Sequence, residues 1–310
     1  MSSIALAPIV PPRALQSLAR KALDDLLTVE GRPSVDFSRP VGAPALIPPQ
    51  SVSWQVFKNP VALMTGGIAA VILELAEPHV RAGVWHFTSF RSDPLTRLRR
   101  TGLAAMVTVY GARADAESMI AGVRRLHGKV AGTTEKGEAY RADDPALLNW
   151  VHATAVFGFL EAYHRYVRAL PREARDRYYE ESAVAGALYG ADDMPRSEAA
   201  LKAYFLAMEP RLEPSPVILE FLDIMRRAPV FPARLRPAQR LLVRAAVQLT
   251  PMALRRRLGL DKAGLRTGER ALVKLAGSLS DRVVLEASPA VKACRRMNLP
   301  ADYLYRRAAV

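Results

Sequence analysis

Cysteine occurs once in the 310 residues, at Cys294. One thiol builds neither a disulfide framework nor a cysteine-rich metal site, and the chain suits a reducing compartment. Long apolar runs are also missing. The longest, Val61 to Ala76, is short for a bilayer span and carries Glu74 and two glycines, so a buried helix is expected there. The N-terminal MSSIALAPIVPPR has no basic stretch ahead of its apolar residues and no twin arginine, so a cytoplasmic location is expected. Acidic residues are scarce where basic ones are not. Residues 211–310 hold 20 Lys/Arg against 8 Asp/Glu, whereas residues 1–210 hold 24 against 22. A basic third can meet nucleic acid, an anionic membrane or an acidic partner, or be ordinary solvated surface.

What is present reads as helix. Half of the composition is apolar, enough for a sizeable core in one large or two ordinary domains. Strand patterns are few, and neither repeats nor low-complexity tracts occur. Residues 31–53 are proline-rich and read as an irregular connection. Stop–start signals then recur at Ser92-Asp93-Pro94, Asp143-Asp144-Pro145, Met194-Pro195 and Glu213-Pro214, each placing a cap or a proline where a helix can begin. The expected fold is all-α, a single large multi-helix domain. An N-terminal helix and connection would occupy residues 1–53, a helical core 54–230, and a basic helical region packed on that core 231–310.

Three of these helices carry polar residues worth following. The first starts at Asp93-Pro94 and ends near Gly111; Arg97, Arg100 and Thr101 share one of its faces. The second covers roughly 115–130, with an apolar stripe of Ala116, Met119, Ile120, Val123, Leu126 and Val130 that His127 adjoins. The third follows Asp144-Pro145 and sets His152 on a stripe with Leu148, Val151, Ala155, Val156 and Phe159. A lone inward histidine is as a rule a hydrogen-bonded core residue. Two on nearby helices make a buried site more plausible, because each imidazole leaving water needs a partner. His79 and His86 fall in EPHVRAGVWHF, read as turn-rich, where a structural role is expected.

Several chemistries are absent. Glu161-Ala-Tyr-His164 is a single E-x-x-H, half of what a di-iron bundle needs. H-E-x-x-H, G-x-S-x-G, the P-loop and G-x-G-x-x-G do not occur. A few histidines and arginines inside an apolar helical shell remain. A haem suits that arrangement: one imidazole takes the iron, apolar side chains flank the macrocycle and basic groups answer its propionates.

Three blocks, EPHVRAGVWHFTSFRSDPLTRLRRT, VRRLHGKVAG and YRADDPALLNWVHAT, resemble in order and spacing the MpaB-type and latex-clearing-protein haem oxygenase superfamily over roughly residues 54–230. The resemblance implies an all-helical fold enclosing haem b, with dioxygen used to cleave carbon–carbon double bonds of isoprenoid chains. It places the proximal iron ligand at His127, in RLHGKV, and the family's R-x-x-[basic]-T element on Arg97, Arg100 and Thr101. Arg100 replaces the lysine of the latex-clearing branch, and a guanidinium neither ligates iron readily nor gives up a proton. His152 is then expected beside the cofactor, or as its ligand if the correspondence is misplaced. The expected partners are dioxygen and a hydrophobic, lipid-like substrate, with peripheral contact to an anionic membrane; nucleic acid is not expected. The rival is a non-catalytic helical module that uses its basic third on an anionic membrane or nucleic acid.

Overall fold

The computed structural model describes residues 7–29, 31, 34–87 and 89–306; the first six residues of the expected N-terminal segment lie outside it. Fifteen α-helices run through the described residues: α1 Arg13–Leu27, α2 Val52–Phe57, α3 Pro60–Ala76, α4 Pro78–Phe87, α5 Pro94–Tyr110, α6 Arg113–His127, α7 Pro145–Tyr166, α8 Arg172–Tyr189, α9 Glu198–Met208, α10 Pro216–Arg227, α11 Arg236–Leu249, α12 Met252–Arg257, α13 Glu269–Ser280, α14 Pro289–Arg296 and α15 Tyr303–Arg306. The all-α expectation holds. The exception is an antiparallel hairpin of β1 Ala131–Thr133 and β2 Ala139–Arg141, with Ala131 opposite Arg141.

The centre is the α3–α7 pair, on which α11 and α13 are laid. Gly66 and Gly158 set its spacing: a Cβ on Gly66 would stand 2.7 Å from the Gly158 carbonyl oxygen, and one on Gly158 would run into that of Gly66. With no side chain at the crossing, the two backbones touch. The apolar run read as a buried helix is α3, and its length is used up in packing.

Sequence signals place the helix starts well. Asp93, Asp144, Ser197 and Ser215 each accept a backbone N–H of the first turn, and Pro94, Pro145 and Pro216 follow directly. The Met194-Pro195 and Glu213-Pro214 signals lie a few residues ahead of the serine caps that start α9 and α10.

Buried aromatic residues bring polar tips, and those of the central helices find backbone partners. Trp54 Nε1 donates to Ile47 O (2.8 Å), Tyr110 Oη to Trp54 O (2.7 Å) and Trp150 Nε1 to Leu73 O (3.2 Å). The proline-rich connection is held further by Arg296, whose buried guanidinium donates to the carbonyls of Phe37, Ala43, Tyr110 and Gly111. Those bonds clamp the connection to the C-terminal end of α5. Cys294, two residues earlier on α14, is buried and unpaired, and burial pushes its thiol up to about 12. It is inert.

Two local expectations need correction. EPHVRAGVWHF is a helix, α4, bent by 111° from α3, and not a turn-rich stretch. Glu77 starts it, accepting Val80 N–H at 2.8 Å while its other oxygen meets His79 and Arg211. The inward stripe of α6 also ends early. Ala116 and Ile120 are buried, but Leu126 is 50% exposed, because the chain leaves α6 at the molecular edge to enter the hairpin.

Candidate functional site

Arg97 is the meeting point of the candidate residues. Its Nη1 donates to Thr101 Oγ1 (2.8 Å), and that hydroxyl donates back to Arg97 O (3.0 Å), so one helical turn holds both side chains. The guanidinium lies over the Phe90 ring, 5.5 Å from its centroid. Its Nε is enclosed without a partner. Burial lowers the Arg97 pKa, Glu74 opposes that shift and Arg100 adds to it. Arg100 itself is exposed and forms no ion pair among the described residues.

His127 is the last residue of α6, half-buried, with Nδ1 enclosed and lacking any hydrogen-bond partner. Burial lowers its pKa first and the Arg97 charge second; Asp143 opposes them. Asp143 is committed elsewhere, taking Arg141 Nε at 3.0 Å and Nη2 at 2.9 Å. The imidazole is thereby held neutral, the form that offers a lone pair to a metal.

Glu74, on α3, is the residue that motif reading missed. Burial raises its carboxyl to about 7, against the pull of Arg97 and a hydrogen bond from Thr154 of α7. The available signal was a lone carboxylate in an otherwise apolar helix. The structure thus gathers Glu74, Arg97, Thr101 and His127 from α3, α5 and α6 around one guanidinium.

His152 is engaged differently. Its Nε2 stands 3.2 Å from the Ser182 carbonyl, which can only accept, so that nitrogen carries the proton. Gly186 is packed against the ring: a Cβ there would come within 3.0 Å of Nε2. Burial lowers the pKa to about 4. Two residues before Thr154, His152 leaves α7 on the opposite side, toward α8. His79 joins a charged network with Glu77 and Glu138, and His164 Nδ1 accepts Leu170 N–H at 3.0 Å.

Among the described residues no three His, Cys, Asp or Glu side chains converge to hold a metal ion by themselves. A haem asks less of the protein. The macrocycle brings four nitrogens, and one neutral imidazole with cationic side chains nearby completes the set. The unpartnered Nδ1 of His127 and the enclosed Arg97 fit that demand.

Fold and site together define an all-helical protein that brings the unpartnered imidazole of His127 close to the Arg97–Thr101 pair. Residues 54–280 match the family described as ER-bound oxygenase mpaB/B'/Rubber oxygenase, catalytic domain, and the chain belongs to that family. The match extends past residue 230 through α13. No curated protein and no solved structure matches the chain at a significant level.

Proposed function

We propose that the chain is a haem b-dependent oxygenase acting on a hydrophobic, isoprenoid-type substrate, with His127 as the proximal ligand. The observation that carries this is the enclosed, unpartnered Nδ1 of a neutral His127 beside Arg97, in a chain of an oxygenase family. The bound haem would supply iron for dioxygen chemistry on a carbon–carbon double bond. Arg97, fixed by Thr101 and by the Phe90 ring, presents positive charge without having to reorganise. Glu74, raised to about 7, is poised between its protonated and ionised forms at neutral pH, as a group that gives or takes a proton must be. Arg100 adds charge at the exposed rim, and His152 supports the α7–α8 packing behind the site.

We place the protein in the cytoplasm with peripheral contact to an anionic membrane, where such a substrate would dissolve. Among the described residues no single helix is long and apolar enough to cross a bilayer. The bent pair α3–α4 passes on length and composition, but α3 is the core helix.

Reconstitution of the purified protein with haemin tests the proposal. A Soret band is expected, lost in His127→Ala at unchanged helix content and kept in His152→Ala. Arg97→Ala and Thr101→Ala should keep haem yet slow oxygen consumption with squalene, while Arg100→Lys is tolerated. A colourless, haem-refractory protein would leave a non-catalytic binding module. Haem kept by His127→Ala but lost by His152→Ala would move the ligand.

A further inference from the structure

The central α3–α7 pair has one flank that its neighbours do not fully cover. On α3 the buried residues are interrupted at Gly67, Val71 and Glu74, and on α7 at Val151, Ala155 and Phe159, all half-buried. The first set falls at i, i+4 and i+7 and the second at i, i+4 and i+8, so each runs along a single side of its helix. The helices are antiparallel, with Gly66 against Gly158 and Trp150 bonded to Leu73 O, and this register sets Gly67 opposite Phe159. Both rows therefore border one crevice.

At the Glu74 end, depth and coverage part company. Burial lifts the Glu74 carboxyl to about 7, so the group is remote from bulk water, yet protein covers only part of its surface. A group that is deep but not covered borders a recess. Helix α5 brings Arg97 to this end while packing chiefly on α1, α2 and α6. From Glu74 toward Phe159 the recess is walled by Val71, Val151 and Ala155, and is apolar.

Phe159 stops it. The ring reaches across from α7 to α3, where a Cβ on Gly67 would meet it at 3.7 Å, and Phe57 of α2 backs it with ring centroids 4.7 Å apart. Beyond the ring the α3 flank continues through half-buried Leu63 and Met64 to exposed Pro60. One side chain thus interrupts a crevice that the helix faces would otherwise prolong. From Gly67 to Glu74 the closed part is about 10 Å deep at the α-helical rise per residue.

We propose that Phe159 sets the length of substrate this protein accepts: the recess takes the free hydrocarbon end of a linear isoprenoid, and the ring halts a chain of geranyl length inserted past Glu74. The inference rests on the oxygenase proposal for its substrate and refines it by chain length. An apolar wall without a hydrogen-bonding group suits a hydrocarbon end and disfavours a polar one, which would lose water without gaining a partner.

The test is the melting-temperature shift of the full chain, without haem, in titrations with prenol, geraniol, farnesol and geranylgeraniol. In the wild type, affinity is expected to rise from prenol to geraniol and then level off. In Phe159→Ala it should go on rising, with farnesol bound about tenfold more tightly than by the wild type, because more apolar surface is buried. Val71→Phe shortens the recess and should weaken geraniol about tenfold. If Phe159→Ala unfolds, Phe159→Leu replaces it, with a several-fold gain for farnesol. A farnesol affinity left unchanged by a folded Phe159 variant would overturn the proposal. So would a wild-type affinity that climbs through geranylgeraniol, or no binding of geraniol at all. The Soret band and oxygen uptake report the oxygenase proposal separately. The alcohol series needs no haem, so either proposal can fail while the other stands.

Discussion

Two buried groups on neighbouring helices titrate in opposite senses, and the pH dependence of stability should show both. Glu74 titrates near 7 in the folded protein against an ordinary 4.5. Between those values the folded chain holds a proton that the unfolded chain has released, so this residue makes stability fall as pH rises from about 4.5 to 7. His152 titrates near 4 against 6.5. Its contribution is full above pH 6.5 and is lost as pH falls toward 4. Each shift corresponds to about 3 kcal/mol, as an order of magnitude. Glu74→Gln should therefore flatten the decline toward neutral pH, and His152→Phe should flatten the acid limb if the ring is accommodated. Urea midpoints at pH 4.5, 6 and 7.5 measure both, and a Glu74→Gln curve parallel to wild type would contradict the assignment to Glu74. These residues also mark what the sequence could convey. Arg97 and Thr101 were legible as a pair because helix periodicity fixes which residues share a face. Glu74 was visible only as an odd charge, since its partners come from α5 and α7.

At the scale of elements, legibility follows the capping chemistry. α5 and α7 begin where Asp-Pro says they should, because a side-chain acceptor followed by a fixed φ is a local device needing no tertiary support. α4 was obscured because its first turn is capped by a glutamate whose other oxygen belongs to a distant ion pair. The hairpin was obscured because three-residue strands carry almost no alternation; its one local mark is Gly137, at φ +81 in the turn. The α3–α7 crossing gives the sharpest test. Glycine inside a helix ordinarily costs stability relative to alanine by roughly 0.5–1 kcal/mol, yet a methyl on Gly158 would meet the Gly66 carbonyl. Overpacking of that kind costs about 1–3 kcal/mol or more. Gly158→Ala should thus lower the melting temperature, whereas an unchanged or raised melting temperature would mean that the helices part without cost.

Across the whole molecule, charge and cofactor act together. The chain carries a formal net charge of +14, and in residues 211–310 seven of the eight acids, all but Asp261, are already in ion pairs. The cations of that third therefore outnumber the acids that could neutralise them. Around His127 the protein instead leaves nitrogens enclosed and unpaired, at His127 Nδ1 and Arg97 Nε. Each unpartnered buried polar group costs about 1–3 kcal/mol, a penalty that a ligand supplying partners removes. A ligand that binds only the folded chain stabilises it by about 2.7 kcal/mol at a free concentration one hundred times its dissociation constant. For a domain of this size that is roughly a 4 °C rise in melting temperature. Haemin should produce such a rise in the wild type, saturating with concentration, and little or none in His127→Ala. An equal rise in both proteins would point to haemin adsorbing elsewhere on the basic surface, and no rise in the wild type would leave the unpaired nitrogens near His127 without the partner assigned to them.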